Sequence, residues 1–516
     1  MKFRPNKTLL YTVIATNLTA CMMGQDYVRP PLTTPTDFKE AKGWKQAQPR
    51  DNVVLGNWWE IFADPKLNEL EEQVAKANQS LAKAEAQFRQ AEHLVLSSQS
   101  SLFPVGTGTG QFNRFVAASG TSVAPAGVRN LIGNAISMTW QPDLWGGVRR
   151  QIEANTESAQ ASAATMQALQ LSLQASLAAD YFQLKILDEQ KRLLDENTAA
   201  YTKTLDITRN RYGAGVAAKS DVAQAEAQLE AVRAQNINLG IQRAQLEHAV
   251  AVLIGKAPAE LSLSNDLLNV QVPAIPVELP SELLERRPDI AVAERQLAAT
   301  NALIGVAKAA YFPTLNLSAT DGVQSGFLNL NTLYSLAKNY WSFPAAGAIT
   351  LFDGGAKNAQ YKQAIDNYEA NVANYRQTVL TAFQQVEDNL VALRILADEI
   401  EVQNRAVAAA NEALMLTINQ YKAGTVNYIN VMTAQTNALN NQVTAVQLKG
   451  SRLTASVQLV TALGGGWDLK KVPNSDQIGG EIKWTDYLII PGMDQGKSEN
   501  TFTNPFSDML QFHFLP

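Results

Sequence analysis

Arg211-Tyr212-Gly213-Ala214-Gly215-Val216 lies between two long stretches with the composition and periodicity of helix. Its glycines interrupt that pattern, so the segment predicts the tight turn of a helical hairpin. Gln420-Tyr421-Lys422-Ala423-Gly424-Thr425 repeats it: Tyr212 returns as Tyr421, Ala214 as Ala423 and Gly215 as Gly424, each 209 residues on (421 − 212 = 209). A turn that recurs in register predicts one architecture built twice, although 516 residues would allow several unrelated domains.

The rest of the chain repeats with the same offset. Ala84-Glu85 returns as Ala293-Glu294, Phe103-Pro104 as Phe312-Pro313, Gly146 as Gly355, Val222 as Val431 and Gly255 as Gly464. Before the first turn, Leu169, Leu173, Leu177, Tyr181, Leu184 and Leu187 follow steps of four and three, a coiled-coil-like seam. That pattern predicts a helix from about 148 to 211, with a second returning over 220–253. The seam is kept in the second half, where Leu177, Tyr181, Leu184 and Leu187 become Val386, Leu390, Leu393 and Leu396.

Each half also carries a segment of another kind. Phe103-Pro104 stops an Ala-, Gln- and Glu-rich helix, because proline cannot continue it. From Ile136 to Leu144 the period is two: Ile136, Met138, Trp140 and Leu144 alternate with Ser137, Thr139, Gln141 and Asp143, as in a strand with one apolar and one polar face. Its expected partner runs from about Val105 to Phe115. In the second half Leu315, Leu317 and Ala319 alternate with Asn316, Ser318 and Thr320, and Tyr340-Trp341-Ser342-Phe343 marks a further strand start.

The N-terminus reads as a secretory signal. Lys2, Arg4 and Lys7 precede a short apolar run from Leu9 to Leu18, too short to span a bilayer. Leu18-Thr19-Ala20-Cys21 resembles a bacterial lipobox, in which the cysteine becomes the lipidated first residue; Cys21 is the only cysteine and can form no internal disulfide. Removal of 1–20 would carry the net charge from −5 to about −8. With Met22 rather than aspartate after the cysteine, the outer membrane is the expected destination. The organisation expected is therefore a signal at 1–20, an extended lipid-anchored linker at 21–65, a first repeat at 66–255, a proline-rich connector at 256–289, a second repeat at 290–466 and a polar tail at 467–516.

Four strands per chain, each long enough for a bilayer, face a constraint. In lipid every backbone N–H and C=O must be paired, so strands must close into a barrel, and four are too few for one chain. The chain is therefore expected to close a barrel with copies of itself, with Trp140, Trp145, Trp341 and Phe352 suited to an interfacial girdle. Simple core packing of those aromatics is the alternative. No catalytic constellation is present. His93, His248 and His513 are far apart and lack metal-ligand spacing. Gly106-Thr107-Gly108-Thr109-Gly110 lacks the Gly-Lys-Ser/Thr of a phosphate loop. No basic block suggests nucleic acid. No metal, cofactor or enzymatic activity is expected.

Five motifs, in order along this duplication, point to a family: GQDYVRP at 24–30, WWEIFADPKL at 58–67, DLWGGVRR at 143–150, LPSELLERRPDI at 279–290 and the paired turns. The chain resembles the TolC-like outer-membrane factors, in their lipoprotein branch, from Cys21 to about Gly466. The resemblance implies a mainly α fold with a membrane β-barrel: a homotrimer with a twelve-stranded barrel over a twelve-helix periplasmic tunnel. It implies a passive exit duct for small toxic compounds, fed by an RND-type inner-membrane transporter through a periplasmic adaptor. A duct for secreted polypeptides and a non-conducting coiled-coil scaffold are the alternatives. Position by position, the resemblance makes the hairpin turns, with Arg211, Tyr212, Gly215 and Gly424, the closed tip that meets the adaptor. Asp221 and Tyr421 match residues that tie helices together there, Ser220 a third polar position and Ile429 an apolar gate position. The aspartate constriction rings of the family fall on Asn430 and Thr433, and a basic partner seen in some members falls on Val426. An uncharged ring implies weak cation selectivity and little block by polyvalent cations.

Overall fold

The computed structural model describes residues 22–32, 34–40, 57–117, 127–265, 272, 273, 275, 283–325 and 339–478. The signal, Cys21 and the tail beyond 478 lie outside the described residues.

The first two helices begin where the sequence provides a side-chain cap. The Asp64 carboxylate accepts from the N–H groups of Lys66 and Leu67, and Pro65 takes the first position of α1 (Pro65–Ala77). Asn78 likewise accepts from Ser80 and Leu81 to start α2 (Gln79–Ser100). After β1 (Val105–Ala117) and β2 (Gly127–Trp140) come the hairpin helices α3 (Gly147–Gly213) and α4 (Lys219–Leu253). A short α5 (Leu283–Arg286) leads into α6 (Pro288–Ala309), then β3 (Thr314–Ser325), β4 (Asn339–Ser342), β5 (Ala345–Ala348), α7 (Ala356–Ala423) and α8 (Tyr428–Ala462). The bounds of α6 and α8 reproduce those of α2 and α4 at the spacing of the turns. With 67 residues, α3 is about 100 Å long. No described helix is long and apolar enough to cross a membrane, which says nothing of the strands.

The strands form one antiparallel sheet in the order β1-β2-β3-β4, with β5 also on β3. β4 and β5 keep the same register on β3, and the Ser318 N–H donates to the Pro344 carbonyl between them at 3.0 Å. They are two halves of a fourth strand, interrupted where Pro344 has no N–H to give. Register sorts the side chains. Met138 lies opposite Ala319 and Trp140 opposite Leu317, whereas Ser137 lies opposite Thr107 and Thr320. Thus at these pairs one face is apolar and the other carries Thr and Ser. The expected strand at 136–144 differs at both ends: it starts at Gly127 and stops at Trp140. Pro142 breaks the ladder, and Asp143 leaves the sheet to accept from the N–H groups of Val148 and Arg149 at the start of α3. The aromatics divide too. Trp341 and Phe352 are 71% and 90% exposed. Trp145 instead donates to the Pro313 carbonyl at 2.7 Å and stacks on Phe312, joining the two halves.

The helices complete one another end to end. α4 finishes where α2 begins, and α8 finishes beside the start of α6. Both joints need glycine. A Cβ on Gly255 (φ +73°) would fall 2.2 Å from the Ala77 carbonyl oxygen, and one on Gly464 (φ +95°) 1.9 Å from that of Arg286. At the first joint the Asn78 amide donates to the Leu253 carbonyl at 2.7 Å; at the second, the Arg287 guanidinium donates to the Ala462 carbonyl at 2.9 Å. The chain thus forms four long columns, α2 with α4, α3, α6 with α8, and α7. α3 packs against α2, α4, α6 and α8, while α7 packs on α6 and α8, so the columns make a row. The main core lies at mid-height, where Trp58, Phe62, Leu67, Leu70, Leu177 and Phe182 are buried together.

The described residues of the N-terminal segment, 22–32, 34–40 and 57–65, lie against the helices. Buried Arg150 donates to the Met23 carbonyl at 3.0 Å and to Asp26 at 2.8 Å, and Arg29 forks onto Glu294 of α6. Farther on, Trp58–Phe62 is a buried 3-10 turn. The motifs GQDYVRP and WWEIF have structural roles because they strap the N-terminal segment onto the helices. At the other end, Trp467 and Ile478 are buried, and the Gln160 amide donates to the Pro473 carbonyl at 3.1 Å.

Candidate functional site at the hairpin tips

Both turns close in the same way. At the end of α3 the Val216 N–H donates to the Arg211 carbonyl at 3.0 Å, and at the end of α7 the Thr425 N–H donates to the Gln420 carbonyl at 3.0 Å. Gly215 (φ +75°) and Gly424 (φ +83°) take the left-handed conformation that this bond pattern requires. Tyr212 and Gly215 are exposed at the first turn and Gly424 at the second.

Arg211 and Tyr421 meet across the two hairpins. The Arg211 guanidinium lies 4.8 Å from the centre of the Tyr421 ring and donates to the Lys422 carbonyl at 3.1 Å. The Tyr421 hydroxyl, in turn, sits 3.4 Å from the Thr208 hydroxyl of α3, and its ring meets Tyr428 edge-on at 5.8 Å. Burial pushes the Tyr428 hydroxyl up to about 12, with Tyr421, Tyr201 and Asp221 adding to the shift. Val426, where the resemblance implies a basic partner in some members, packs half-buried on the same cluster. A cation therefore does reach Tyr421, but from α3 of the other hairpin.

Above this clasp runs a buried polar seam. The Tyr201 hydroxyl donates to the Gln435 carbonyl at 3.0 Å, and the Gln435 amide donates to the Thr204 hydroxyl at 3.1 Å. Gln228 of α4 reaches Thr436 of α8 at 3.1 Å. Neither the motifs nor the resemblance pointed to these residues. Their signal was polar side chains at inward positions of an otherwise apolar seam, Tyr201, Thr204 and Thr208 on α3 facing Gln435 and Tyr421.

The other sequence-derived positions are exposed or turned toward their own helices. Asp221 is half-buried, and its carboxylate accepts from the Ala218 N–H at 3.3 Å at the start of α4. Ser220, Ile429, Asn430 and Thr433 are exposed. The Thr433 hydroxyl donates to the Ile429 carbonyl at 2.9 Å. Asn430 and Thr433 lie one turn apart on the open face of α8. Among the described residues, no three His, Cys, Asp or Glu side chains gather as a metal site would.

Comparison with known proteins agrees with this geometry. The model of the outer membrane efflux protein family matches twice, over 70–256 and 279–465, each boundary repeating at the spacing of the turns. The toluene efflux pump outer membrane protein TtgF of Pseudomonas putida is 29% identical over 89% of this chain and 97% of its own length. The pyoverdine export outer membrane protein OpmQ of Pseudomonas aeruginosa is 31% identical over 81% of this chain and 89% of its own. Among solved structures, the outer-membrane channel OprN superposes with a TM-score of 0.80 at 29% identity, covering 87% of this chain and all of that one. A duplicated helical hairpin carrying a sheet with one apolar face, matched twice by one family model, makes this chain a member of the outer membrane efflux protein family.

Proposed function

We propose that the chain is the passive exit duct of a tripartite efflux system, exporting small compounds delivered by an inner-membrane transporter through a periplasmic adaptor. The observation that carries this reading is the unfinished state of a single chain. Among the described residues its sheet ends in two open edges, β1 and β4–β5, and its apolar face leaves Ile136, Met138 and Trp140 exposed. Its row of helices also ends openly. On α7 the exposed Ile395, Val402 and Leu416 recur at multiples of seven, and on α4 Ile237 and Ile241 are exposed. Three copies would pair every edge, giving twelve strands in a barrel and twelve helical columns beneath it. In this reading Cys21 carries the lipid and the docked strap holds it near the foot of the sheet. Residues 66–255 and 290–466 are the two repeats, and the tips at Arg211, Tyr212, Gly215 and Gly424 form the closed end that meets the adaptor.

Ser220, Asp221, Tyr421, Ile429, Asn430 and Thr433 belong to this gate. The relatives' names span toluene and pyoverdine, so the transporter, rather than the duct, sets the cargo. The test is conductance of the purified outer-membrane trimer in planar bilayers. Small conductance at rest is expected, with more frequent opening for Arg211→Ala, which removes the clasp on Tyr421. A trimer that never conducts, even with that clasp removed, would favour the scaffold.

A further inference from the structure

The open face of α8 has an unusual composition. From Asn430 to Gln458, in alternating steps of three and four, come Asn430, Thr433, Asn437, Asn440, Thr444 and Gln447, and on through Ser451 and Thr454 to Gln458. All are exposed except the half-buried Thr454. The run extends about 42 Å without a charged residue. Its threonines donate inward, Thr433 to the Ile429 carbonyl and Thr444 to that of Asn440, so their oxygens keep acceptor lone pairs outward.

The same face recurs on α4 at the repeat spacing. Gln224, Gln235, Asn238, Gln242 and Gln245 are exposed, Ala231 lies among them, and only Asp221 at the tip end carries charge. Of the other charges of α4, Lys219 is exposed at the very tip, Glu226 pairs with Arg209, Glu230 with Arg233, and Arg243 with Asp188 and Glu247. Lys449 of α8 pairs with Glu189 off the stripe. Gln228 bonding to Thr436 brings the two stripes side by side at the tip. By contrast, α3, which packs against both helices, exposes Arg192, Glu196, Lys203 and Asp206 at comparable spacing. Charge is 18% of the chain. Its absence from two equivalent faces, beside its presence on a third, marks the faces as different surfaces. Charge suits a surface meeting bulk periplasm, whereas a neutral amide and hydroxyl surface suits the wall of a pore that does not sort by charge.

We propose that the stripes of α8 and α4 line the conduit below mid-height, and that this wall passes anionic and neutral solutes as readily as cationic ones, selecting by size and hydrogen bonding. The inference rests on the reading of the chain as a duct and extends the neutral character of Asn430 and Thr433 to the whole lower tunnel. Reversal potentials of the purified trimer across a potassium chloride gradient test it. The wild-type permeability ratio of potassium to chloride is expected within about twofold of one. Asn437→Asp, which adds three carboxylates to the wall, raises that ratio several-fold, whereas Lys203→Asp on α3 leaves it unchanged. Asn437→Cys reacted with a sulfonate-bearing thiol reagent shifts it the same way, so the test survives a poorly folded aspartate variant. A strongly cation-selective wild type, or equal responses at 437 and 203, overturns the proposal. Absence of any conductance instead overturns the duct reading on which it stands.

Discussion

Arg211 and Tyr421 show how far single residues can be read. Their positions at the turns were legible because glycine spacing repeats; their contact was not, because it joins side chains 210 positions apart in sequence. Likewise, no pattern marks Glu71. It is fully buried on α1, neither carboxyl oxygen has a partner, and burial raises its carboxyl to about 9. A carboxyl raised on folding is protonated in the native state while the unfolded chain ionises. Its contribution is therefore most favourable below about pH 4.5, erodes as pH rises, and levels off above about pH 9. At pH 7 the cost is about 3 kcal/mol. Thermal unfolding of the wild type should accordingly fall in midpoint between pH 5 and pH 8, and Glu71→Gln should flatten that dependence. An equally steep slope in the variant would place the titration on another group.

At the scale of elements, the long helices follow from heptad seams and the turns from glycine, so their existence and register could be read directly. Boundaries were less legible where two structures compete for a residue. The alternation through Leu144 continues past the strand because Asp143 alternates as a strand residue but serves as a helix cap. The end-to-end joints were invisible for another reason: Gly255 and Gly464 stand at helix ends, where glycine is ordinary, and only the neighbouring carbonyls show that nothing larger fits. Gly464→Ala combines that clash with a left-handed backbone. It is expected to destabilise by about 2 kcal/mol or more, read as a lower melting temperature, whereas Gly240→Ala, at an open position within α4, should be neutral or slightly stabilising. Equal effects of the two would remove the joint as a constraint.

For the whole molecule, the apolar sheet face is what one chain cannot satisfy. Ile136 is 68% exposed beside Met138 and Trp140. If that face meets lipid, Ile136→Lys costs about 2–4 kcal/mol near the bilayer midplane. The trimer recovered from outer membranes should then fall in amount or in heat resistance, whereas Ser137→Lys on the opposite face should be tolerated. Tolerance of lysine at 136 would turn that face away from lipid.

The duplication, the helical hairpins, the alternation of the strands and the family were all legible in the residues alone, because periodicity and turn chemistry are local and leave their mark in spacing. The fold, by contrast, was needed to show that the N-terminal segment is strapped down by Arg150 and Arg29, that Arg211 clasps Tyr421, and that the joints at Gly255 and Gly464 turn six long helices into four columns. Those features depend on which distant surfaces meet, and a contact across hundreds of residues has no period to read. The opening turn at Arg211–Val216 holds both kinds of information: its glycine was written in the sequence, and its arginine found its partner only in the fold.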